Sequence, residues 1–228
     1  MSFFLLFLSS YLLEVAGIYA YLLQHGSSKR TTVKDQQISV EWVSTFSPEV
    51  ARSIIELVNS ATVVGGTLGY SKPMNHSESE RFINSLEYRV SGGDAHVLMG
   101  HCNAEAVFFV ILGINHMPNC RHRAELSKGV VRPDFRGRRL VELALRHIVL
   151  RAEQIGIEQL VLDVREDSRA YLLWKRFGFM TYGVLENYAR TSSGIYRGHF
   201  MVQTVDSLRK RVVSEFTHTL LAKETQNA

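Results

Sequence analysis

The stretch VVRPDFRGRRL, from Val130 to Leu140, sets a short extended segment, a basic turn and the start of an amphipathic helix in direct succession. A chain passing straight from a strand into a helix leaves the first N–H groups of that helix without intrahelical partners, and the helix dipole adds partial positive charge there. These are the elements of a phosphate or pyrophosphate site, so the expected ligand is an anionic cofactor. A second stretch, LVLDVREDSRAYLLWKRFGF from Leu160 to Phe179, reads as a buried strand, a polar turn and a short helix closed by Gly178.

Taken together, the two stretches resemble the GNAT superfamily of acyl-CoA-dependent N-acyltransferases. Its first motif, V-x-P-x-x-R-G-x-G-x-G/A, is matched by Val131, Pro133, Arg136 and Gly137. Its second, N-x-x-A-x-x-L-Y-x-x-x-G-F, falls on Asp167, Ala170, Leu173, Trp174, Gly178 and Phe179. The likeness runs from about Ile38 to Gln203, and HRAELSKGVV (His122 to Val131) and ENYARTSSGIYRGHFMV (Glu186 to Val202) extend it. Both look most like the tabtoxin-resistance-type members that acetylate small amines.

The resemblance implies that backbone N–H groups of Arg136, Gly137, Arg138, Arg139, Leu140 and Val141 cradle the pyrophosphate of acetyl-CoA. Backbone at Val130 and Val131 would pair with the pantetheine arm, and Asp167, Ala170 and Trp174 would complete the cofactor side. Arg139 and Val141 stand where the motif has Gly and Gly or Ala. Their Cβ atoms could narrow the cradle, since glycine lets backbone approach a phosphate closely, or Arg139 could add a charge-assisted contact.

Acyl transfer to an amine needs a base, a polarised carbonyl and a protonated leaving thiolate. Glu125, on the strand leading to the loop, is the candidate base. Backbone near Val130 would polarise the carbonyl. The family's tyrosine general acid is replaced by Trp174, whose indole cannot serve at neutral pH, so Tyr171, one helical turn away, is the candidate in its place. Tyr188 and Arg190 are candidates for the acceptor pocket, while Asp163 and Glu166 lie near its mouth. The nine histidines show no paired ligand spacing and no metal is expected. The implied activity is acetyl transfer from acetyl-CoA to a primary amine of a small molecule by direct attack in a ternary complex. A non-catalytic CoA-binding or regulatory module and a protein or peptide N-acetyltransferase are the alternatives.

The elements that must position these groups follow from pattern. A strand over Ile38 to Thr45 leads into a helix opened by Ser47-Pro48-Glu49 and running to about Ser60. A second helix is expected over Ser77 to Val90. Strands at His96 to Gly100, Ala104 to Asn115 and Arg123 to Val131 precede a helix from Gly137 to Ile155, with Leu140, Ala144, Ile148 and Ala152 at four-residue steps. A strand at Glu158 to Val164, a helix at Ser168 to Phe177 and strands at Phe179 to Leu185 and Tyr196 to Gln203 complete the set. Strands interleaved with helices indicate an α/β (α+β) domain, a mixed and mostly antiparallel sheet covered by helices.

At 228 residues and 46% apolar content the chain suits one globular domain. The expected division is an apolar N-terminal helix (1–24), a linker (25–37), the GNAT domain (38–206) and a C-terminal helix or tail (207–228). Phe3 to Leu23 is long enough to cross a bilayer, but Glu14 in its middle would cost about 2.5–3.5 kcal/mol on insertion scales. A membrane anchor, an extra packing helix and an early start codon all stand as readings of residues 3–23. Lys29, Arg30 and Lys34 would hold the domain on the cytoplasmic side of any membrane it met. Two cysteines without ligand spacing fit a reducing compartment. The net charge of +4 suggests nucleic acid less than cofactor phosphate, because Arg121, Arg123, Arg132, Arg136, Arg138 and Arg139 cluster around the proposed site and no nucleic-acid-binding motif is present.

Overall fold

The structure is a computed structural model describing residues 31–33, 36–66, 68–191 and 194–213. Eight strands form one sheet in the order β1-β2-β3-β4-β5-β6-β8-β7. They are β1 (Thr31–Val33), β2 (Gln36–Trp42), β3 (Ala95–Cys102), β4 (Glu105–Ile114), β5 (Arg123–Val131), β6 (Gln159–Arg165), β7 (Met180–Thr191) and β8 (Gly194–Thr204). Every neighbouring pair is antiparallel except β5 and β6. A parallel pair requires a crossover, and helix α3 (Leu140–Gln154) supplies it.

Local sequence accounts for the helices. In α1 (Pro48–Val63) the Ser47 Oγ accepts the N–H of Val50 at 3.3 Å and Pro48 occupies the first turn, where its missing N–H costs nothing. In α2 (His76–Ser91) Asn75 and Glu78 form a reciprocal capping box, at 2.9 and 2.8 Å. Helix α3 buries Leu140, Ala144, Ile148 and Ala152 together with Leu145 and Val149, and Gly156 with φ +74° ends it. Ser168 caps α4 (Arg169–Arg176), and residues 205–213 are helical.

Alternation in the strands divides the core. Leu98, Phe108, Leu112, Ala124, Leu126, Leu160, Leu162 and Met201 face one way, with Leu145 and Ile148 of α3. Val97, Met99, Phe109, Ile111 and Val130 face the other, with Ile54 and Leu57 of α1 and Leu86 of α2. Gly100 is required at its rung with Phe108, because an added Cβ would lie 2.0 Å from the ring. The consequence for function is a sheet with two distinct faces, one under α3 and α4 and one under α1 and α2.

The expected mixed, mostly antiparallel sheet covered by helices is present. Several boundaries differ. β1 and the start of β2 occupy part of the stretch expected as linker, 25–37, since an edge strand needs only ladder hydrogen bonds and Thr and Gln supply no apolar alternation to flag it. Helix α3 starts at Leu140 rather than Gly137, because Gly137 and Arg139 both take positive φ. The final hairpin is longer than expected, with β7 continuing through the ENYAR segment to Thr191. Residues 1–24 and 214–228 lie outside the described residues. Among those described, no helix is long and apolar enough to cross a membrane.

Candidate active site

Between β5 and α3 the chain makes a single 3-10 turn, Pro133–Phe135, which buries Phe135. The guanidinium groups of Arg132 and Arg138 lie 4.6 and 4.4 Å from the Phe135 ring centre, and Arg132 also pairs with Glu105 and Asp134 at 2.9 and 2.8 Å. Gly137, at φ +77°, has open space where a Cβ would stand. The first backbone bond of α3 runs from the N–H of Leu143 to the carbonyl of Arg139 at 3.1 Å, and no side chain caps the helix. The N–H groups of Leu140, Val141 and Glu142 therefore have no intrahelical acceptor and are available to an anion.

Arg139 resolves the question its sequence position raises. It adopts the left-handed backbone that glycine favours, φ +59°, at a cost of roughly 1–2 kcal/mol for a side-chain-bearing residue. Its Nε donates to Oε2 of Glu142 at 2.7 Å, and Arg146 donates to the other oxygen of the same buried carboxylate. Val141 packs against the core beneath α3. The loop thus keeps the glycine conformation without the glycine, its arginine held by Glu142. Arg136 donates to the carbonyl of Val131 at 3.4 Å, and Arg138 to that of Asp134 at 3.4 Å.

The same loop follows an opening in the sheet. β5 and β6 share only the rungs Arg123–Gln159, Ala124–Leu160 and Glu125–Val161, and beyond them the two strands have no rung in common. Val130 and Val131 pair with Phe109 and Phe108 of β4 on their other side. The β4–β5 register shifts between Phe109 and Ile111, and Lys128 at φ +53° marks the irregularity. An extended ligand arm can enter where the strands part and reach the α3 terminus, so the residues fit a diphosphate-bearing cofactor.

Helix α4 borders that face. Asp167 takes φ +56° and Ser168, not Asp167, is the cap, its Oγ accepting the N–H of Tyr171 at 3.0 Å. Ala170 is exposed, and Trp174 packs edge-on against Phe179 with ring centres 5.1 Å apart. Tyr171 lies on the ring of His199, centres 4.4 Å apart. His199 is buried, with Nε2 3.1 Å from Glu166 Oε1 and Nδ1 3.1 Å from Thr181 Oγ1. Nothing in the sequence pattern flags His199, because its partners come from three separate segments.

On the opposite face Glu125 occupies the last shared rung of β5 and β6. Its carboxylate is exposed and makes no hydrogen bond or ion pair among the described residues. Asp163 follows Val161 on the same face of β6 and accepts the hydroxyl of Tyr188. The Tyr188 ring lies against Gly198, where a Cβ would come within 2.1 Å of it, and burial followed by the Asp163 hydrogen bond raises the phenol's pKa. Arg190 is exposed and donates to Asn187 at 2.8 Å, and among the described residues no contact joins it to Glu125 or Asp163. Lys128 was not among the expected site residues. Its Nζ donates to the carbonyl of Leu68 at 2.6 Å and lies 5.9 Å from the Tyr70 ring centre. Burial lowers its pKa, while the charges of Asp163 and Glu125 oppose the shift. A lysine next to a glycine inside an otherwise alternating strand was the available signal of the irregularity that turns it inward.

A family model described as acetyltransferase (GNAT) family matches residues 55–179. Solved structures share the fold. An N-acetyltransferase from Staphylococcus aureus Mu50 is 18% identical with a TM-score of 0.60, covering 73% of this chain and 98% of its own. The ribosomal-protein-S18-alanine N-acetyltransferase from Escherichia coli is 18% identical with a TM-score of 0.56, covering 73% and 94%. The microcin C7 self-immunity acetyltransferase, solved with acetyl-CoA and AMP, is 18% identical with a TM-score of 0.59, covering 75% and 94%. No curated protein matches the sequence.

Proposed function

The chain belongs to the GNAT acetyltransferase family, and from that premise we propose that it transfers an acetyl group from acetyl-CoA to a primary amine of a small molecule, by direct attack in a ternary complex. The observation that carries this reading is the parting of β5 and β6 immediately after Glu125, with unpartnered α3 N–H groups at one end and a free carboxylate at the other.

When bound, acetyl-CoA supplies an acyl carbon activated by a thiolate leaving group. The N–H groups of Leu140, Val141 and Glu142, with backbone from Arg136 to Arg139, hold the pyrophosphate, and Val130 and Val131 pair with the pantetheine arm along the free edge of β5. Asp167, Ala170 and Trp174 border that arm. Glu125 removes the proton of the attacking amine, directly or through one water. Backbone near Val130 donates to the carbonyl oxygen as negative charge develops there. With Trp174 unable to give a proton, Tyr171 is the nearest hydroxyl on α4 to return one to the thiolate, and solvent does so in its absence. Tyr188, fixed by Asp163, walls the acceptor side, and Arg190 reaches an acceptor from the outer hairpin. The likeness to tabtoxin-resistance-type enzymes, an apolar segment over residues 1–24 apart from a transferase domain ending near 206, and a cytoplasmic location are parts of the same reading.

The test is release of free CoA thiol from acetyl-CoA in the presence of a panel of primary amines, with acetylated product identified by mass. Amine-dependent release supports the reading. Tight acetyl-CoA binding with no release for any amine would favour a non-catalytic module, and release only with peptides would favour a peptide acetyltransferase.

A further inference from the structure

The acceptor face holds an unusual set of unmatched charges. The Glu125 carboxylate has no hydrogen bond or ion pair among the described residues, Asp163 accepts only the neutral hydroxyl of Tyr188, and Lys128 donates to the carbonyl of Leu68 and lies 5.9 Å from the Tyr70 ring centre. Arg89, from the last turn of α2, sits over Gly113, the rung partner of Glu125, with a terminal nitrogen 3.1 Å from where a Cβ of Gly113 would be. Two carboxylates and two cations thus lie on one face of the sheet, with Lys128 within electrostatic reach of both carboxylates, and no ion pair within 4.0 Å joins any two of them. Oppositely charged side chains that share a site ordinarily collapse onto one another. Here the backbone keeps them apart, since Lys128 is turned by the β5 irregularity at φ +53° and tethered to the loop before Tyr70.

Resting on the acetyltransferase reading, we propose that the acceptor is zwitterionic, carrying an acidic group close to the amine that is acetylated, and that Lys128 is the residue that selects it. Glu125 and Asp163 receive the cationic amine, and the Lys128 ammonium receives the acid. The Leu68 carbonyl takes one of the three ammonium hydrogens, which leaves two for a carboxylate or phosphate oxygen. An amine without an acidic group would leave Lys128, already partly desolvated, to be buried further without compensation, and that penalty is what rejects it. Polar discrimination of this kind is strong because a rejected substrate strands a buried polar group, whereas a missing methylene strands nothing.

The experiment compares matched acceptors on the full chain at fixed acetyl-CoA. Free L-amino acids are set against their own carboxamides, and amino sugar phosphates against the unphosphorylated amino sugars. The wild-type protein is expected to favour the acidic member of at least one pair by about 10- to 100-fold in kcat/KM, the size of a lost hydrogen bond to a charged group. Lys128→Met should abolish that preference from both sides, slowing the acidic member and, with no ammonium left to strand, speeding the neutral one, and Lys128→Arg should restore part of it. If Lys128 were only a tether for the Leu68 loop, Lys128→Met would slow both members equally, which would overturn the inference. Turnover of amines without any acid preference would overturn the inference while leaving the transferase reading intact. Turnover of no amine in the panel would overturn both.

Discussion

The two faces of the sheet use charge in opposite ways. Under α3 the charged side chains are matched internally, Arg139 and Arg146 on the buried Glu142, and Arg132 on Glu105 and Asp134, so the donors left over are backbone N–H groups. Under α1 and α2 charged side chains are left over, with Glu125 and Lys128 in no ion pair within 4.0 Å although Lys128 feels the charge of Glu125 and Asp163. On the proposed reading, the face that grips a diphosphate is served by rigid backbone whose geometry side chains only support, and the face that handles protons and discriminates acceptors by side chains whose charge is uncommitted. Substitutions on the first face should therefore act through conformation and stability, and on the second through chemistry.

The sharpest way to break that contrast is Glu125→Gln. Loss of a general base should lower kcat by about 10²- to 10⁴-fold with little change in acetyl-CoA affinity or melting temperature. Turnover that stays at the wild-type level between pH 6 and 9 would remove Glu125 from the reaction and leave the acceptor face without its base.

On the other face, Glu142→Ala should cost about 2–3 kcal/mol in denaturant unfolding, less than a fully buried triad would because Arg139 and Arg146 keep some access to water. It should also weaken acetyl-CoA binding by disordering the loop. A variant as stable as wild type would mean that the arginines are not held by this carboxylate.

A finer comparison sets Arg139→Gly against Arg139→Ala. Both lose the Glu142 contact, but only glycine relieves the left-handed backbone, so glycine should be the more stable by about 1 kcal/mol. Equal stabilities would show that position 139 does not hold φ +59° in solution.

The smallest effect concerns Lys128 and pH. Burial sets its pKa in the folded chain below the unfolded value near 10.5, so within the interval between them the unfolded chain binds more protons and stability rises with pH. Below that interval the lysine is charged in both states and the burial cost is fully felt. The stability difference between wild type and Lys128→Met, followed by thermal unfolding, should move in favour of wild type as pH rises toward 10.5, and a difference independent of pH would place the ammonium in water.

Much of the donor face was legible because it is local. Val131, Pro133, Arg136 and Gly137 follow one another in the chain, and the four-residue spacing of Leu140, Ala144, Ile148 and Ala152 announces the helix they introduce. Where Arg139 would point was not legible, since Glu142 is as ordinary a helix residue as any until it is seen buried between two arginines. Elsewhere the sequence singled out Glu125, Asp163, Glu166, Tyr188 and Arg190 one by one, but not the partners they meet. Lys128 meets Leu68 across sixty positions of sequence, Asp163 meets Tyr188 across twenty-five, and His199 meets Glu166 across thirty-three. Such pairings are products of strand order, and no spacing rule carries them. The long β7–β8 hairpin was missed for a related reason, because its outer strand is exposed along most of its length and shows no buried alternation.

In the proposed reaction, backbone N–H groups at the start of α3 hold the donor. Amide hydrogen exchange of residues 137–143, measured with and without saturating acetyl-CoA, tests it most directly. The N–H groups of Leu140, Val141 and Glu142 should slow by about tenfold or more as they gain acceptors, consistent with a local opening made costlier by more than about 1.4 kcal/mol. Exchange at these positions unchanged by ligand that is demonstrably bound would contradict the claim and move the donor site elsewhere on the molecule.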